Sequence, residues 1–196
     1  ITPALLQKSI LYSIQRYHFS SKLKQSRDTY SSLLNNIKET VYRTNIDDNF
    51  NITFISSHVE KLTGYPPTYF TQSGHKTLFN LIHPDDRIEV RKCIKDAIQN
   101  GSGWELEYRI LHKDHSIRHV IDKGNTFISD QTKGSFCDGC LLDITDRKKI
   151  ENVLQVREET FRSTFENAAI GMGVTDAEGT IEQVNRSLCE ILGFRE

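Results

Sequence analysis

The chain has little of what marks several common protein classes. Its 196 residues include four cysteines, four prolines, one methionine and one tryptophan. Four cysteines in a chain of this length do not make a disulfide scaffold, so we expect a reducing, cytoplasmic setting. No apolar run approaches the roughly 20 residues of a membrane-spanning helix. The start at Ile1 lacks both Met and a signal-peptide pattern, so we expect a fragment of a longer protein.

Neither sign of charge is in excess. Lys and Arg number 25 against 26 Asp and Glu, which gives a net charge of −1. Because a phosphate-binding surface normally carries a basic excess, this balance argues against a nucleic-acid partner. Charge is uneven along the chain, with +4 over residues 1–40 and −3 over residues 146–196. The change of sign near residue 40 coincides with a change of hydrophobic period and predicts a boundary there.

Residues 3–39 are predicted to be helical. A second apolar stripe, from Leu23 to Ile37, is out of phase with the first, and Phe19-Ser20-Ser21 lies between the two. We therefore expect two helical units or one bent helix, with a single solvated linker helix as the alternative. The first stripe recurs at the steps of three or four positions that one helical face requires: Leu6, Ile10, Ile14 and Tyr17.

Residues 41–145 carry the alternation of an antiparallel sheet. Segments 41–46 and 51–56 are rich in β-branched and aromatic residues and flank a polar turn, which predicts a hairpin. Three further strands are predicted over 104–112, 117–129 and 136–144. Because consecutive hairpins make neighbouring strands antiparallel, we expect an α+β domain with its helices grouped on one face of the sheet.

The clearest helix is predicted over residues 83–101. Pro84 would stand at the first helical position, where a missing N–H does no harm, and Asp85 and Asp86 would favour the positive end of the helix dipole. Neighbours on a helix project about 100° apart. These two carboxylates are therefore interpreted as capping acids rather than as a catalytic pair.

The end of the chain repeats its beginning. Residues 159–167 parallel residues 28–36, and residues 191–194 parallel residues 62–65. The spacing is 131 residues before the hairpin turn and 129 after it, which a two-residue difference in the turn explains. Such a large, nearly constant spacing indicates tandem copies of one domain. We therefore expect a second copy that is only begun within this chain.

These segments together resemble the PAS sensory domain with its PAC motif. The resemblance covers residues 26–150, and residues 157–196 as a partial second copy. It implies a five-stranded antiparallel sheet with helices on one face, a small-molecule cavity between them, and long N- and C-terminal signalling helices. The match rests on four motifs in their order: Phe54-Ile55-Ser56 with Leu62-Thr63-Gly64-Tyr65, the helix entry at residues 81–87, the strand at residues 104–109, and residues 139–151 with the Asp-Ile-Thr signature.

The resemblance also implies an organisation for the chain. Residues 26–145 would form the PAS domain with its PAC motif, residues 146–168 a linker helix, and residues 169–196 the start of a second, incomplete PAS domain. Residues 1–25 would form an N-terminal helix, since residues 4–17 are similar to the last helix of a response-regulator receiver domain. A sensor histidine kinase or a diguanylate cyclase is the expected parent, with the adjacent domains of that chain as partners.

The family's cavity implies a ligand site whose occupant stays unknown. Flavin-binding relatives carry a reactive cysteine before the long helix, and residues 65–82 contain none, so covalent flavin is not supported. Haem-binding relatives use a histidine in or near that helix. Residues 87–100 contain none, and His75, the nearby candidate, lies in a predicted loop, so haem is not expected. The expected lining comes from apolar positions on strands and on the long helix: Phe54, Ile94, Tyr108, Ile121 and Leu142.

The pair Cys137 and Cys140 forms a lone C-x-x-C on a predicted strand. A structural metal site needs four ligands and the sequence offers no second pair, while residues three apart on a strand face opposite sides. We predict no metal site. A cysteine-based redox or metal sensor is kept as the least favoured function.

No catalytic residue is predicted. The sequence has no Gly-rich phosphate loop, no nucleophile elbow and no His-Glu-x-x-His motif. It also lacks the Gly-Gly-Asp-Glu-Phe type of signature of diguanylate cyclases, a phosphoacceptor histidine box and a kinase ATP site. The fragment is therefore not expected to be an enzyme.

The favoured function is a cytoplasmic sensory module that binds a small ligand or relays a conformational state through its flanking helices. Their apolar stripes have coiled-coil-like spacing, which predicts a parallel homodimer. Asp143 would accept hydrogen bonds where the last strand meets the exit helix, and Thr145, Glu107 and Arg109 are the other relay candidates. The alternative is a ligand-free module for protein interaction or dimerisation.

Overall fold

The computed structural model describes residues 37–46, 50–72, 77–129 and 134–193, with scattered residues between 12 and 34. Within the predicted N-terminal helix, the described residues from 12 to 34 are helical, and the run 16–22 is helical across Phe19-Ser20-Ser21. Most of the segment compared with a receiver domain lies outside the described residues. The chain divides into two compact units, residues 1–144 and residues 145–196.

The first unit is built on one five-stranded sheet. The spatial order of the strands is β2-β1-β5-β4-β3, and every pairing is antiparallel, as the sequence predicts. The first and last strands of the domain thus lie side by side at the centre of the sheet. The strands are β1 (Thr40–Asn45), β2 (Ile52–Ile55), β3 (Trp104–Leu111), β4 (Ile117–Ser129) and β5 (Gly134–Asp143).

Short helices fill the connection between β2 and β3. They are α1 (Val59–Thr63), α2 (Pro67–Thr71), a 3₁₀ turn (Leu78–Leu81) and α3 (Arg87–Gln99). The helix α3 begins later than predicted, because residues 84–86 form a turn before it. Its buried residues follow the spacing of one helical face, and they join the strand residues in a single hydrophobic core: Val90, Ile94 and Ala97.

The register of the strands fixes which side chains share the core face. Directly paired residues in an antiparallel sheet project to the same side. Tyr108 pairs with Val120, and Leu106 pairs with Asp122, which places all four on the core face. Ile121 and its partner Leu142 project to the opposite face.

The second unit repeats the start of the first in its order of elements. It consists of α4 (Thr145–Glu166), the antiparallel hairpin of β6 (Gly173–Thr175) and β7 (Ile181–Val184), and α5 (Arg186–Leu192). Asn185 is fully buried, and its Nδ2 donates to the backbone oxygens of Phe165 and Ile170 at 2.9 Å each. Its Oδ1 accepts from the backbone N–H of Met172 and of Leu188. This one amide joins α4, the hairpin and α5.

Across the described part of the chain, no helix combines the length and the apolarity that a membrane crossing requires.

Candidate functional site

A small cavity lies inside the first unit, between the sheet and the helical side. Its free volume is about 30 Å³. That is room for one or two waters and far below the roughly 300–1,000 Å³ of ordinary small-molecule pockets. Its wall is mostly aromatic and aliphatic, with two polar residues, Thr44 and Asp122. The aromatic and aliphatic lining residues are Tyr42, Phe50, Phe79, Trp104, Tyr108, Ile52, Leu78, Ile82 and Ile94.

Asp122 is the one acidic residue among the described lining residues, and it is 2% exposed. Its two carboxylate oxygens accept hydrogen bonds from tyrosines on different strands. Tyr42 Oη donates to Oδ1 at 2.8 Å, and Tyr108 Oη donates to Oδ2 at 3.1 Å. The carboxylate therefore connects β1, β3 and β4 inside the core.

The environment of Asp122 sets its protonation near neutral pH. Burial raises the pKa of Asp122 to about 6, against the hydrogen bonds from Tyr42 and Tyr108 and the nearby N–H of Trp104, which lower it. The buried Nε1 of Trp104 makes no hydrogen bond to a described residue. Burial, followed by the charge of Asp122, raises the pKa of Tyr42 and of Tyr108 well above the ordinary value. Both tyrosines therefore stay protonated donors.

Two glycines make room for the rings that reach Asp122. Gly124 and Gly139 pair with each other across β4 and β5; Trp104 pairs with Gly124, and Tyr42 with Gly139. A Cβ added at Gly139 would lie 2.5 Å from Tyr42 Cζ and Oη, and one at Gly124 would overlap the Trp104 ring. Because glycine has no side chain, the rings of Trp104 and Tyr42 can lie over the sheet at Gly124 and Gly139.

The structure corrects three of the five expected lining residues. Ile94 and Tyr108 line the cavity, whereas Phe54, Ile121 and Leu142 do not. Ile121 and Leu142 form a cross-strand pair on the outer face, and Phe54 is 42% exposed on β2. Apolar character alone does not tell which of two alternating sets on a strand faces inward.

The sequence alone does not predict that Asp122 is an interior residue, although the alternation along β4 is consistent with it. It stands two residues from Val120 and from Gly124 in a strand whose alternate positions are Ile121 and Lys123. Either set could have been the buried one. The pairing of Asp122 with Leu106 and with Leu141 is what shows that its carboxylate lies in the core.

Among the relay candidates, Arg109 forms a bidentate ion pair with Asp86. Its Nε and Nη2 donate to the two carboxylate oxygens of Asp86 at 3.0 and 2.5 Å, and its backbone N–H donates to Asp86 Oδ2 at 2.9 Å. Asp86 therefore does not act as the expected capping acid, and its side chain makes no cap hydrogen bond. Because of the hydrogen bonds from Arg109, the pKa of Asp86 falls to about 2. The pair ties the start of α3 to β3.

The other relay candidates lie at different places in the chain. Asp143 pairs with Val120 at the end of β5, and its carboxylate lies 3.9 Å from Arg118 Nη1. Glu107 is exposed and pairs with Ile121 on the outer face. Thr145 is the first residue of α4 and is buried.

The two cysteines of the C-x-x-C segment project to opposite faces of β5, as expected. Burial raises the pKa of the Cys137 thiol and raises that of Cys140 to about 11. A thiol with a raised pKa carries little thiolate at neutral pH and is a poor nucleophile or ligand. Within the described residues, no group of three or more His, Cys, Asp or Glu is arranged to hold a metal ion. His75, the haem candidate, lies outside the described residues.

Comparison with known families identifies the sheet domain. A family model for the PAS fold matches residues 52–139, and a model for the PAS domain matches residues 159–196. The crystal structure of a sensory box histidine kinase/response regulator from Burkholderia thailandensis superposes with a TM-score of 0.54 at 23% identity. It covers 68% of this chain and 98% of that one. At this identity the likeness supports the fold.

Two curated relatives are sensor proteins. The methyl sulfide methyltransferase-associated sensor of Methanosarcina acetivorans is 30% identical over 151 residues, which is 74% of this chain and 15% of the relative. Sensor protein FixL of Bradyrhizobium diazoefficiens is 24% identical over 124 residues, which is 63% of this chain and 25% of the relative. The chain thus spans a quarter or less of the length of either relative.

Proposed function

The chain belongs to the PAS family through residues 52–139, and from this we propose that it is a sensory module whose interior state is relayed to the helices that flank the sheet. The observation that carries the proposal is the carboxylate of Asp122, held by two tyrosines inside a domain whose relatives are sensors. A buried carboxylate is costly to keep, and an apolar residue of similar size would often make a more stable core. Sensing explains why such a group is placed there.

Asp122 is positioned to change the sheet when its own state changes. It holds Tyr42 of β1 and Tyr108 of β3. Between those strands lie β4 and β5, and β5 continues into α4 with only Ile144 between them. A change in the charge of Asp122 would alter its hydrogen bonds with both tyrosines and, through them, the positions of the strands on either side of β5. A stimulus acts here only by favouring one of two arrangements of the protein.

In this proposal the junction of β5 and α4 is the relay. Asp143 ends β5 beside Arg118, and Thr145 begins α4. Glu107 and Arg109 would act from β3, where the Asp86 contact of Arg109 links the sheet to α3. A charge-assisted hydrogen bond at such a place is worth about 1.5–3 kcal/mol, enough to bias a two-state element.

The organisation and partners of the module belong to the same proposal. Residues 169–196 would open a second PAS domain, which agrees with the match at residues 159–196. The flanking helices would pair two copies of the chain, in the cytoplasm, next to the domains of a histidine kinase or diguanylate cyclase parent. The module would carry no catalytic step itself.

Amide hydrogen exchange of α4 tests the proposal. We expect exchange in residues 145–155 to change between pH 5 and pH 7.5 by more than the intrinsic chemistry predicts, because Asp122 changes charge in that range. The variant Asp122→Asn should lose the excess change. Glu105→Gln, which removes an exposed carboxylate from β3, should keep it. Equal α4 exchange in wild type and Asp122→Asn at both pH values would contradict the proposal.

The ligand-free interaction module is supported by one observation, the small cavity of about 30 Å³. Such a volume is close to that of a filled core. Native mass spectrometry of the purified chain separates the two functions. A retained molecule favours the sensory module, and the mass of the bare chain together with pH-independent exchange of α4 favours the interaction module.

A further inference from the structure

We propose that the cavity beside Asp122 binds a small ammonium ion, of the size of ammonium or methylammonium, between the carboxylate and the surrounding aromatic rings. The inference rests on the proposed function only in that it uses the same cavity. It concerns binding and not the relay.

The charge of the cavity selects a cation. Among the described lining residues, Asp122 is the ionisable acid and no Lys, Arg or His accompanies it. The titratable groups whose charges act on Asp122 or its tyrosines are Tyr42, Tyr108, Cys137 and Cys140, and raised pKa values keep all four neutral below pH 8. A buried carboxylate is stable either protonated or beside a cation. An anionic ligand would be repelled.

The carboxylate has capacity left for such a ligand. An ionised carboxylate offers about four acceptor sites. Two are used by Tyr42 and Tyr108, and the N–H of Trp104 lies near the same carboxylate. The N–H groups of an ammonium ion can take the remaining sites, and the tyrosine oxygens can accept further hydrogen bonds.

The aromatic wall favours the same class of ligand. The faces of Trp and Tyr rings attract cations, most strongly where water is excluded. Trp104, Tyr42 and Tyr108 all line the cavity. On the α3 side, Arg91 already lies 5.5 Å from the ring centroid of Phe79, but it does not line the cavity. The described lining residues include no Lys, Arg or His, so a ligand would be the cation that contacts Trp104, Tyr42 and Tyr108.

The volume sets the upper size. About 30 Å³ accepts a ligand of very few heavy atoms and excludes flavin and haem. Ammonium and methylammonium fit this limit, and tetramethylammonium exceeds it. A neutral donor of the same size could donate a hydrogen bond to Asp122 but would not neutralise its charge.

The single tryptophan of the chain provides the assay, because Trp104 lines the cavity. Methylammonium chloride is titrated at constant ionic strength, with sodium chloride and tetramethylammonium chloride as controls. We expect a saturable change in Trp104 fluorescence with methylammonium alone. Since burial raises the pKa of Asp122 to about 6, binding should be about tenfold weaker at pH 5 than above pH 7.

Variants locate the site. Asp122→Asn should abolish the response, and Glu105→Gln, which removes an exposed carboxylate next to Trp104 in sequence, should leave it unchanged. If Asp122→Asn fails to fold, the pH dependence of the wild-type affinity decides instead. Absence of a saturable wild-type response, an affinity independent of pH, or an unchanged response in folded Asp122→Asn would each overturn the proposal and leave a cavity that holds water only.

Exchange of α4 in the same samples separates this inference from the relay. Methylammonium binding without any change in α4 exchange supports the ammonium site and contradicts the proposed sensory relay. A pH-dependent change in α4 exchange without methylammonium binding supports the relay and overturns the ammonium site.

Discussion

At the scale of single residues, Asp122 makes stability depend on pH in an unusual direction. Its pKa is raised to about 6 in the folded chain, above the ordinary value of an unfolded Asp of about 3.9. The folded state therefore binds more protons between about pH 4 and pH 6, and stability falls as pH rises through that window. We expect wild type to lose on the order of 2 kcal/mol relative to Asp122→Asn between pH 4.5 and pH 7, measured by urea unfolding.

The matched control is Glu105→Gln, on the exposed side of the neighbouring strand. Its stability difference from wild type should vary by less than about 0.5 kcal/mol over the same range, as for most surface ion pairs. A gap between wild type and Asp122→Asn that is constant, or that grows in favour of wild type as pH rises, would contradict the raised pKa.

The same residue marks the limit of sequence reasoning at this scale. The alternation of β4 is evident in the sequence, and so is the apolar character of Val120 and Ile121. What decides the buried set is the pairing with β3 and β5, which is a contact between distant segments. The prediction for Ile121 and Leu142 is wrong for that reason, and the prediction for Phe54 is wrong because the pairing of β2 with β1 decides its face in the same way. Ile94, in contrast, follows from the 3.6-residue period of a helix with one buried face.

At the scale of elements, Gly124 and Trp104 behave as one unit. A Cβ on Gly124 would overlap the indole ring. We expect Gly124→Ala to destabilise the domain by about 1–3 kcal/mol through overpacking. Trp104→Phe removes the indole atoms that this Cβ would overlap. The double variant should therefore be destabilised by about 1 kcal/mol less than the sum of the losses in the two single variants. Denaturant unfolding of the four proteins measures the coupling.

The matched comparison pairs Trp104→Phe with Gly139→Ala, whose Cβ would meet Tyr42 instead. That coupling should be distinctly smaller. Equal couplings in the two cycles would mean that the glycines respond to a general loosening of the sheet and not to their own rings.

The attachment of α3 to β3 depends on Asp86 rather than on its neighbour. Asp86 accepts three hydrogen bonds from Arg109, whereas Asp85 is 70% exposed and lies 3.4 Å from the same guanidinium. We expect Asp86→Asn to cost about 2 kcal/mol at pH 7 and Asp85→Asn less than about 0.5 kcal/mol. Thermal unfolding distinguishes the two, and equal losses would contradict the assignment.

The pH dependence of this contact runs opposite to that of Asp122. Since the pKa of Asp86 is lowered to about 2, its contribution is present above about pH 4 and is lost as pH falls through about 2. The sequence predicted the helix and its two acids but not this partner. Arg109 stands 23 positions along the chain, and contacts between distant segments, such as the bridge between Ile82 and Ile110 and the hydrogen bond from His83 N–H to the Arg109 carbonyl, bring the two together.

At the scale of the whole molecule, the sequence predicts a parallel homodimer, which the oligomeric state of the chain in solution tests. The helix α4 exposes an apolar stripe of Ile150, Leu154 and Phe161, with Leu154 66% exposed. These residues recur at the spacing of one helix face, as the seam of a coiled coil requires. Residue 152 stands about 160° from residue 154 around the helix at 100° per residue.

That difference in position gives a matched pair of variants for the homodimer. Leu154→Asp places a negative charge in the stripe, and Asn152→Asp places the same charge on the other side of α4. Burying an unpaired carboxylate at a helix seam costs several kcal/mol. We therefore expect Leu154→Asp to weaken dimerisation at least a hundredfold in sedimentation equilibrium and Asn152→Asp to change it by less than about threefold. Because the first unit ends before α4, its unfolding transition should be the same in both variants. Equal weakening by the two charges would mean that the copies meet through another surface.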